Sequence, residues 1–250
     1  MSHIAAYLGP SVPVASIVEQ GTHSLLTQAQ SYPDGFGIGW YPEDGLPDAI
    51  RLISRAPLWA EGHLLAVARR LRSRCTVAGL RKARAGVVPE LSGVQPFQRG
   101  RYLFIHDGEL SLFREVFERP LREQLSESQH RSLGGITEDE VLFATWLDAL
   151  GNRTGADAMA DALEKMVASV RTIAHANGTP ATFAIVVSDG ASLVALRTAT
   201  HGMPPPLHTI ATGADSPLPP SARIIASEPS FPGTWTALDV HSLTIFTAES

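Results

Sequence analysis

The order of the sequence patterns predicts an α+β protein built from layers of antiparallel sheet and helix. Short apolar runs typical of strands lie toward both ends of the 250-residue chain, and longer amphipathic segments lie between them. The pair Asp189-Gly190 separates two such runs, which predicts an antiparallel hairpin. Because strands and helices come in blocks rather than in alternation, a parallel βαβ sheet is disfavoured.

The predicted strands are seven short runs rich in β-branched and aromatic residues. They cover residues 4–8, 36–41, 102–106, 182–187, 192–197, 223–227 and 243–246. Alternate glycines in the second run indicate that another part of the backbone approaches it closely. The third run is followed by Asp107-Gly108, which predicts a hairpin turn at that point.

Three helices are predicted in the middle of the chain. Residues 58–72 carry apolar side chains at helical spacing, and the arginines within 69–74 are expected on the polar face of that helix. Thr137 and Glu140 form a capping box that opens a second helix, which ends at Gly151. Residues 156–176 have an apolar stripe typical of a third helix.

Composition bounds the class of protein. Residues 1–250 are expected to form a single domain, and a net charge of −5 disfavours nucleic acid or an anionic membrane as a partner. The lone cysteine, Cys75, excludes an internal disulfide framework and is expected to be a buried structural thiol. Without a signal peptide pattern or a membrane-spanning apolar run, the expected location is the cytoplasm. Because the nine histidines are scattered, no metal and no cofactor is expected.

Ser2 combines two groups that could react together. A small residue after Met1 allows removal of the methionine, which would leave a hydroxyl beside a free α-amino group. An α-amino group has a reference pKa of about 7.7–8.0, so it can act as a base near neutral pH. Serine at this position is common, however, and by itself indicates only efficient processing.

Five ordered segments give Ser2 more weight, because together they resemble the class II glutamine amidotransferase family of N-terminal-nucleophile hydrolases. The chain is most similar to the compact single-domain amidohydrolases that cleave a γ-glutamyl amide in ergothioneine biosynthesis. The segments are residues 2–9, 33–41, 80–86, 95–110 and 137–143, and residues 188–197 and 226–229 are also similar. The resemblance implies a four-layer αββα sandwich, in which two antiparallel sheets lie between helical layers.

The resemblance also implies roles for three catalytic positions. Ser2 would attack the amide carbonyl while its own amine relays the proton. The dipeptide Asp107-Gly108 occupies the oxyanion position, where the family has an asparagine amide and a glycine N–H as donors. From the residues alone, Asp107-Gly108 remains equally readable as a simple turn.

Substrate-binding roles are implied for five further residues. The Arg81 guanidinium would hold the substrate α-carboxylate, and Glu138 or Asp139 would pair with its α-ammonium group. Gly35 and Gly37 would keep the backbone near the site. A solvated surface role for Arg81, and a purely electrostatic role for the two acids at a helix N-terminus, stay open.

The chain departs from the family pattern at its reactive positions. Ser2 replaces the family cysteine and Asp107 replaces the asparagine, and an ionised carboxylate cannot donate to an oxyanion. Glu138 and Asp139 stand where the family has aspartate and serine, and Arg84 stands in place of a threonine.

Three interpretations stay open. The chain is an amide hydrolase with a serine nucleophile, a degenerate relative that binds a ligand or a partner enzyme, or an engineered cysteine-to-serine variant. The departures at Asp107, Arg84 and Glu138 weigh against the last. The expected partner is a small γ-glutamyl or glutamine-like molecule, with a homo-oligomer or a separate pathway enzyme left open.

Overall fold

Two antiparallel β-sheets stacked face to face form the centre of the molecule. The computed structural model describes residues 2–83, 90–213 and 216–247. The strands are β1 (Ser2–Pro13), β2 (Phe36–Trp40), β3 (Ile50–Ser54), β4 (Arg72–Arg81), β5 (Phe97–Arg99), β6 (Tyr102–Leu110), β7 (Ala181–Ser188), β8 (Ser192–Ala199), β9 (His208–Ala211), β10 (Arg223–Ala226), β11 (Thr236–Ala237) and β12 (Ser242–Thr247). The seven-stranded sheet has the order β11-β9-β10-β1-β4-β2-β3, and the five-stranded sheet has the order β12-β8-β7-β6-β5.

Helices cover the outer face of each sheet. They are α1 (Ser16–Glu19), α2 (Leu25–Gln28), α3 (Gly62–Ala68), α4 (Glu118–Gln124), α5 (Glu127–Ser132), α6 (Glu138–Leu150) and α7 (Ala156–Asn177). The long helices α6 and α7 pack on the five-stranded sheet, whereas α1, α2 and α3 pack on the seven-stranded sheet. A third apolar cluster fills the space between the sheets. The predicted four-layer αββα sandwich is therefore confirmed.

Local signals in the C-terminal half of the chain specify their elements well. Asp189-Gly190 joins β7 to β8 in the predicted hairpin, with Gly190 at a φ of +91°. The Thr137 hydroxyl accepts a hydrogen bond from the Glu140 N–H at 3.3 Å, and Gly151 ends the same helix. Within the described residues, no helix is both long enough and apolar enough to span a bilayer.

Two predictions about local structure are wrong. The helix expected over 58–72 is a short 3-10 turn followed by α3, and Arg72 and Arg74 instead lie at the start of the interior strand β4. Their side chains alternate with buried Ser73 and Cys75, which is the period of a strand rather than of a helix.

Burial raises the pKa of the Cys75 thiol to about 12, in keeping with its expected structural role.

Asp107-Gly108 is the second correction, because it forms no hairpin turn. Both residues lie inside β6, where Asp107 pairs with Ala184 and Gly108 pairs with Phe183. Gly108 has a φ of +149°, and a Cβ there would lie 2.1 Å from the Thr182 carbonyl oxygen. Only glycine fits this close approach, so the dipeptide continues the strand without reversing it.

Candidate active site

A cleft of about 470 Å³ opens where β1, β4 and β6 meet the start of α6. Ser2 begins β1 and pairs with Arg81 at the end of the neighbouring β4. Six of the eight predicted site residues line this one cleft: Ser2, Arg81, Asp107, Gly108, Glu138 and Asp139. Residues that lie far apart in the sequence therefore converge because the ends of three strands and a helix meet here.

Ser2 lies at the base of the cleft and is almost entirely buried. Its backbone nitrogen donates a hydrogen bond to Asp107 Oδ1 at 2.7 Å. Its hydroxyl oxygen accepts a longer one from Gln95 Nε2 at 3.4 Å. Asp107 thus acts as an acceptor toward Ser2, and the carboxylate is not turned away from the reactive position.

Gln95 ties the serine to the strand that carries the oxyanion position. Its amide nitrogen donates to the His106 carbonyl oxygen at 2.9 Å, and its amide oxygen accepts from the His106 N–H at 2.6 Å. The side chain is buried, and its backbone packs directly on Gly37, where a Cβ would lie 2.1 Å from the Gln95 carbonyl oxygen. The sequence segment containing Gln95 belongs to the family resemblance, but nothing in its pattern indicates this bridging role.

His106 forms a buried pair with Asp139. The Nδ1 atom of His106 lies 2.6 Å from Asp139 Oδ1, and its Nε2 atom lies 3.3 Å from the Thr182 carbonyl oxygen. Burial acts to lower the pKa of His106, but the hydrogen bond and charge of Asp139, with the charge of Glu138, raise it overall. Since both ring nitrogens face acceptors, the geometry favours the doubly protonated imidazolium.

The environment of Asp107 shifts it toward its neutral form. Burial raises the pKa of the Asp107 carboxyl, and the hydrogen bond from the Ser2 nitrogen and the charge of His106 offset only part of this effect. A protonated carboxyl can donate a hydrogen bond, whereas a carboxylate only accepts. The side chain can therefore supply an oxyanion donor only while it keeps its proton.

Arg81 is held by backbone on both sides. Its N–H donates to the Gly35 carbonyl oxygen at 2.9 Å, and its guanidinium donates to the Glu90 carbonyl oxygen at 2.9 Å. Neither Gly35 nor Gly37 is among the described residues that line the cleft. Gly35 contacts the site through its hydrogen bond with Arg81, and Gly37 through its packing against Gln95. The predicted contribution of Arg84 falls outside the described residues.

His106, Glu138 and Asp139 are the described residues whose grouping resembles a metal site. One ligand atom from each lies within 4.8 Å of the others. The 2.6 Å contact between His106 and Asp139 is a direct hydrogen bond, so in this arrangement the two side chains form an ion pair when the imidazole is protonated.

A wider groove of about 860 Å³ lies on the outer helices α4 and α5. Arginine and glutamate side chains line most of it, and three i,i+4 ion pairs join them: Arg119–Glu123, Arg122–Glu118 and Arg131–Glu127. Two of the pairs, Arg119–Glu123 and Arg131–Glu127, are exposed, and exposed pairs contribute little to stability. Its lining offers no hydroxyl or thiol nucleophile, so the Ser2 cleft is the better candidate for chemistry.

The four layers, with the first strand beginning in a cleft, define a fold of the N-terminal-nucleophile hydrolase type. A solved structure with the same fold is the glutamine aminotransferase class-II domain protein from Silicibacter pomeroyi. It matches with a TM-score of 0.70 at 21% identity, over 98% of this chain and 94% of that one. At this identity the likeness concerns the fold alone.

Sequence comparison assigns the family. Residues 11–212 match the model of the class II glutamine amidotransferases, and the chain belongs to this family. The gamma-glutamyl-hercynylcysteine sulfoxide hydrolase of Mycolicibacterium smegmatis is 30% identical over 60% of this chain and 66% of its own length. The protein of the same name from Mycobacterium tuberculosis is 32% identical over 58% of this chain and 62% of its own. The match thus spans slightly less than two thirds of these curated relatives.

Proposed function

We propose that this protein is an amidohydrolase that cleaves a γ-glutamyl-type amide through Ser2. The observation that carries the proposal is the convergence of Ser2, Arg81, Gly108 and Glu138 on one cleft. A hydroxyl nucleophile, a fixed guanidinium, a backbone N–H and a carboxylate match the parts of a γ-glutamyl amide. The names of the two mycobacterial relatives support the same substrate class.

The proposed reaction begins after removal of Met1. The Ser2 hydroxyl oxygen adds to the amide carbonyl carbon, and the free Ser2 amine takes the hydroxyl proton. That proton passes to the leaving nitrogen as the carbon–nitrogen bond breaks, which releases the amine and leaves an acyl-Ser2 ester. Water then attacks the ester carbonyl carbon, which regenerates the Ser2 hydroxyl and releases glutamate.

Binding of the glutamyl half divides between opposite charges. Arg81 would hold the α-carboxylate with two parallel donors. Glu138 would pair with the α-ammonium group, with Asp139, which is hydrogen-bonded to His106, as the alternative; both line the cleft. The Gly108 N–H would donate to the oxyanion, with Asp107 as the second donor in its protonated form.

Intact mass spectrometry tests the proposal directly. The protein is incubated with glutamine and with γ-glutamyl amides, and both the chain mass and the released amine are measured. We expect loss of Met1, release of amine, and an acyl adduct on Ser2 under rapid quench. Ser2→Ala should abolish cleavage, whereas Ser11→Ala, on the same strand but outside the described cleft lining, should retain it.

A binding protein without turnover is the second candidate function. One contact favours it: Asp107 Oδ1 accepts a hydrogen bond from the Ser2 N–H at 2.7 Å. A carboxylate at that position would repel the negative charge that develops on the substrate oxygen. A fully processed chain that gives neither adduct nor product with any γ-glutamyl amide would favour this candidate. Cleavage that persists in Ser2→Ala would remove Ser2 from the mechanism.

A further inference from the structure

The entrance of the cleft has a different chemical character from its base. We define the mouth of the cleft as Leu112, Arg114, Glu115 and Ile136, all of which line it and are exposed. Leu112 is 61% exposed and Ile136 is 51% exposed, although both are large apolar side chains. Exposed apolar groups that share one cleft are typical of a surface that a ligand covers.

Leu112 also adopts a disfavoured backbone conformation. Its φ of +56° and ψ of +41° lie in the left-handed region, which a leucine rarely enters. The residue begins a π-helical turn over Phe113–Phe117, a geometry that is frequent at functional sites. Strain of this kind persists where the surrounding structure has a reason to hold a side chain in place.

The cleft is larger than the glutamyl half of the substrate requires. Its volume of about 470 Å³ falls in the range of about 300–1,000 Å³ that accommodates drug-sized ligands. Arg81 and Glu138 take the charged ends of the glutamyl half, next to Ser2 and Gly108. Leu112 lies four residues after Gly108 and Ile136 lies two residues before Glu138, and all four line the same cleft.

We infer that Leu112 and Ile136 form a subsite for the amine half of the substrate, and that this subsite selects amines with an apolar body. The inference rests on the proposed function, which supplies the position of the glutamyl half. Glutamine, whose leaving group is ammonia, leaves the subsite empty. The benzyl group of a γ-glutamyl benzylamide would fill the subsite. Apolar surface of both the ligand and the protein would then be removed from water.

Two substitutions remove the apolar character without disturbing the fold. Leu112→Asn keeps a similar side-chain size and suits the left-handed conformation, which asparagine tolerates well. Ile136→Thr keeps the β-branch and makes the side chain polar. The matched controls are Leu46→Asn and Ile50→Thr, since Leu46 is 64% exposed and Ile50 is 45% exposed outside the described cleft lining.

The first measurement compares kcat/KM for γ-glutamyl benzylamide and for glutamine. We expect the benzylamide to be preferred by about tenfold or more, the gain that burial of a few apolar carbons brings. The Leu112→Asn/Ile136→Thr double variant should lose about tenfold with the benzylamide and little with glutamine. The two control variants should behave as the wild type.

The second measurement keeps the inference testable if the protein shows no turnover. Equilibrium binding of γ-glutamyl benzylamide and γ-glutamyl methylamide is measured by calorimetry in a Ser2→Ala background. Tighter binding of the benzylamide that disappears with the double substitution supports the subsite even when the proposed hydrolysis fails. The inference is overturned if the benzylamide has no advantage, if the advantage survives the double substitution, or if both ligands weaken equally.

Discussion

The base and the mouth of the cleft are built in opposite ways. The base consists of Ser2, Gln95, His106 and Asp107, which are buried or half-buried and joined by hydrogen bonds of 2.6–3.4 Å. The mouth consists of exposed side chains on the turn after β6 and just before α6. The difference supports the two proposals, in which the base positions the reacting groups and the mouth contacts the amine half of the substrate.

The largest expected effect concerns Asp107 in the base. Asp107→Asn restores an amide donor at the oxyanion position, and one such donor is worth about 10²–10³-fold in rate in other hydrolases. The substitution also removes a carboxylate oxygen that lies 2.7 Å from the Ser2 nitrogen. Such a carboxylate favours the protonated form of a free Ser2 amine, which cannot act as a base. We expect amide cleavage to rise about 10²-fold, measured as kcat/KM with a γ-glutamyl amide.

The pH dependence of this variant gives an independent check. Since the folded pKa of Asp107 is raised, wild-type Asp107 keeps its donor proton at low pH and loses it as the pH rises. The ratio of Asp107→Asn to wild-type activity should therefore grow as the pH rises through the folded pKa of Asp107. A fall in activity with Asp107→Asn would mean that the carboxylate has a function of its own.

The next effect concerns the glycine on which the base packs. Gly37→Ala would place a Cβ 2.1 Å from the Gln95 carbonyl oxygen, so backbone must shift. We expect a loss of about 1–3 kcal/mol in the free energy of unfolding, together with reduced activity, because Gln95 positions Ser2 and His106. Gly62→Ala is the control, since a Cβ there meets nothing within 4 Å. Urea unfolding of both variants measures the difference, and equal midpoints would contradict the proposed packing role.

The smallest of the three effects concerns the ion pair between His106 and Asp139, which line the cleft. Asp139→Asn should lower the free energy of unfolding by about 1–2 kcal/mol, because it leaves a buried imidazolium without its carboxylate. The folded pKa of His106 is raised, so the pair contributes fully below the unfolded value of about 6.5 and is lost as pH rises through the folded pKa. The gap to the wild type should thus be widest near pH 6 and should narrow at higher pH.

Leu112→Asn provides the counterpart at the mouth for this stability measurement. The side chain is exposed, and asparagine suits its left-handed backbone, so we expect a change below about 0.5 kcal/mol at every pH. A pH-independent gap for Asp139→Asn would contradict the assignment of His106 as an imidazolium.

Sequence patterns predict the layers of this fold better than they predict the interior strand β4. The helices α6 and α7 and the hairpin at Asp189-Gly190 are specified by local signals that need no distant partner. The strand β4 was missed because its first residues, Arg72 to Arg74, follow directly on a helical pattern. Its identity is decided by pairing with β1 and β2, which are far away in the sequence.

The candidate site was predictable as a set of residues, although not as a geometry. The family resemblance named Ser2, Arg81 and Gly108, and the structure brings them to one cleft. It could not indicate that Asp107 accepts from the Ser2 nitrogen, because that contact depends on the register of β6 in the opposite sheet. The roles of Gln95 and Leu112 cannot be predicted from the sequence, because an amide side chain and an exposed leucine produce no distinctive pattern.

The position of β1 has a consequence for how the protein is made. This strand lies between β4 and β10. The hydroxyl of Ser227, which directly follows β10 and lies more than 200 residues after Ile4 in the sequence, accepts a hydrogen bond from the Ile4 N–H at 2.9 Å. The edge of β1 that faces β10 therefore stays without its hydrogen-bond partners until residues 223–227 have been synthesised, since pairing between segments distant in sequence forms late. A chain that lacks those residues would leave the strand that carries Ser2 paired on one side only.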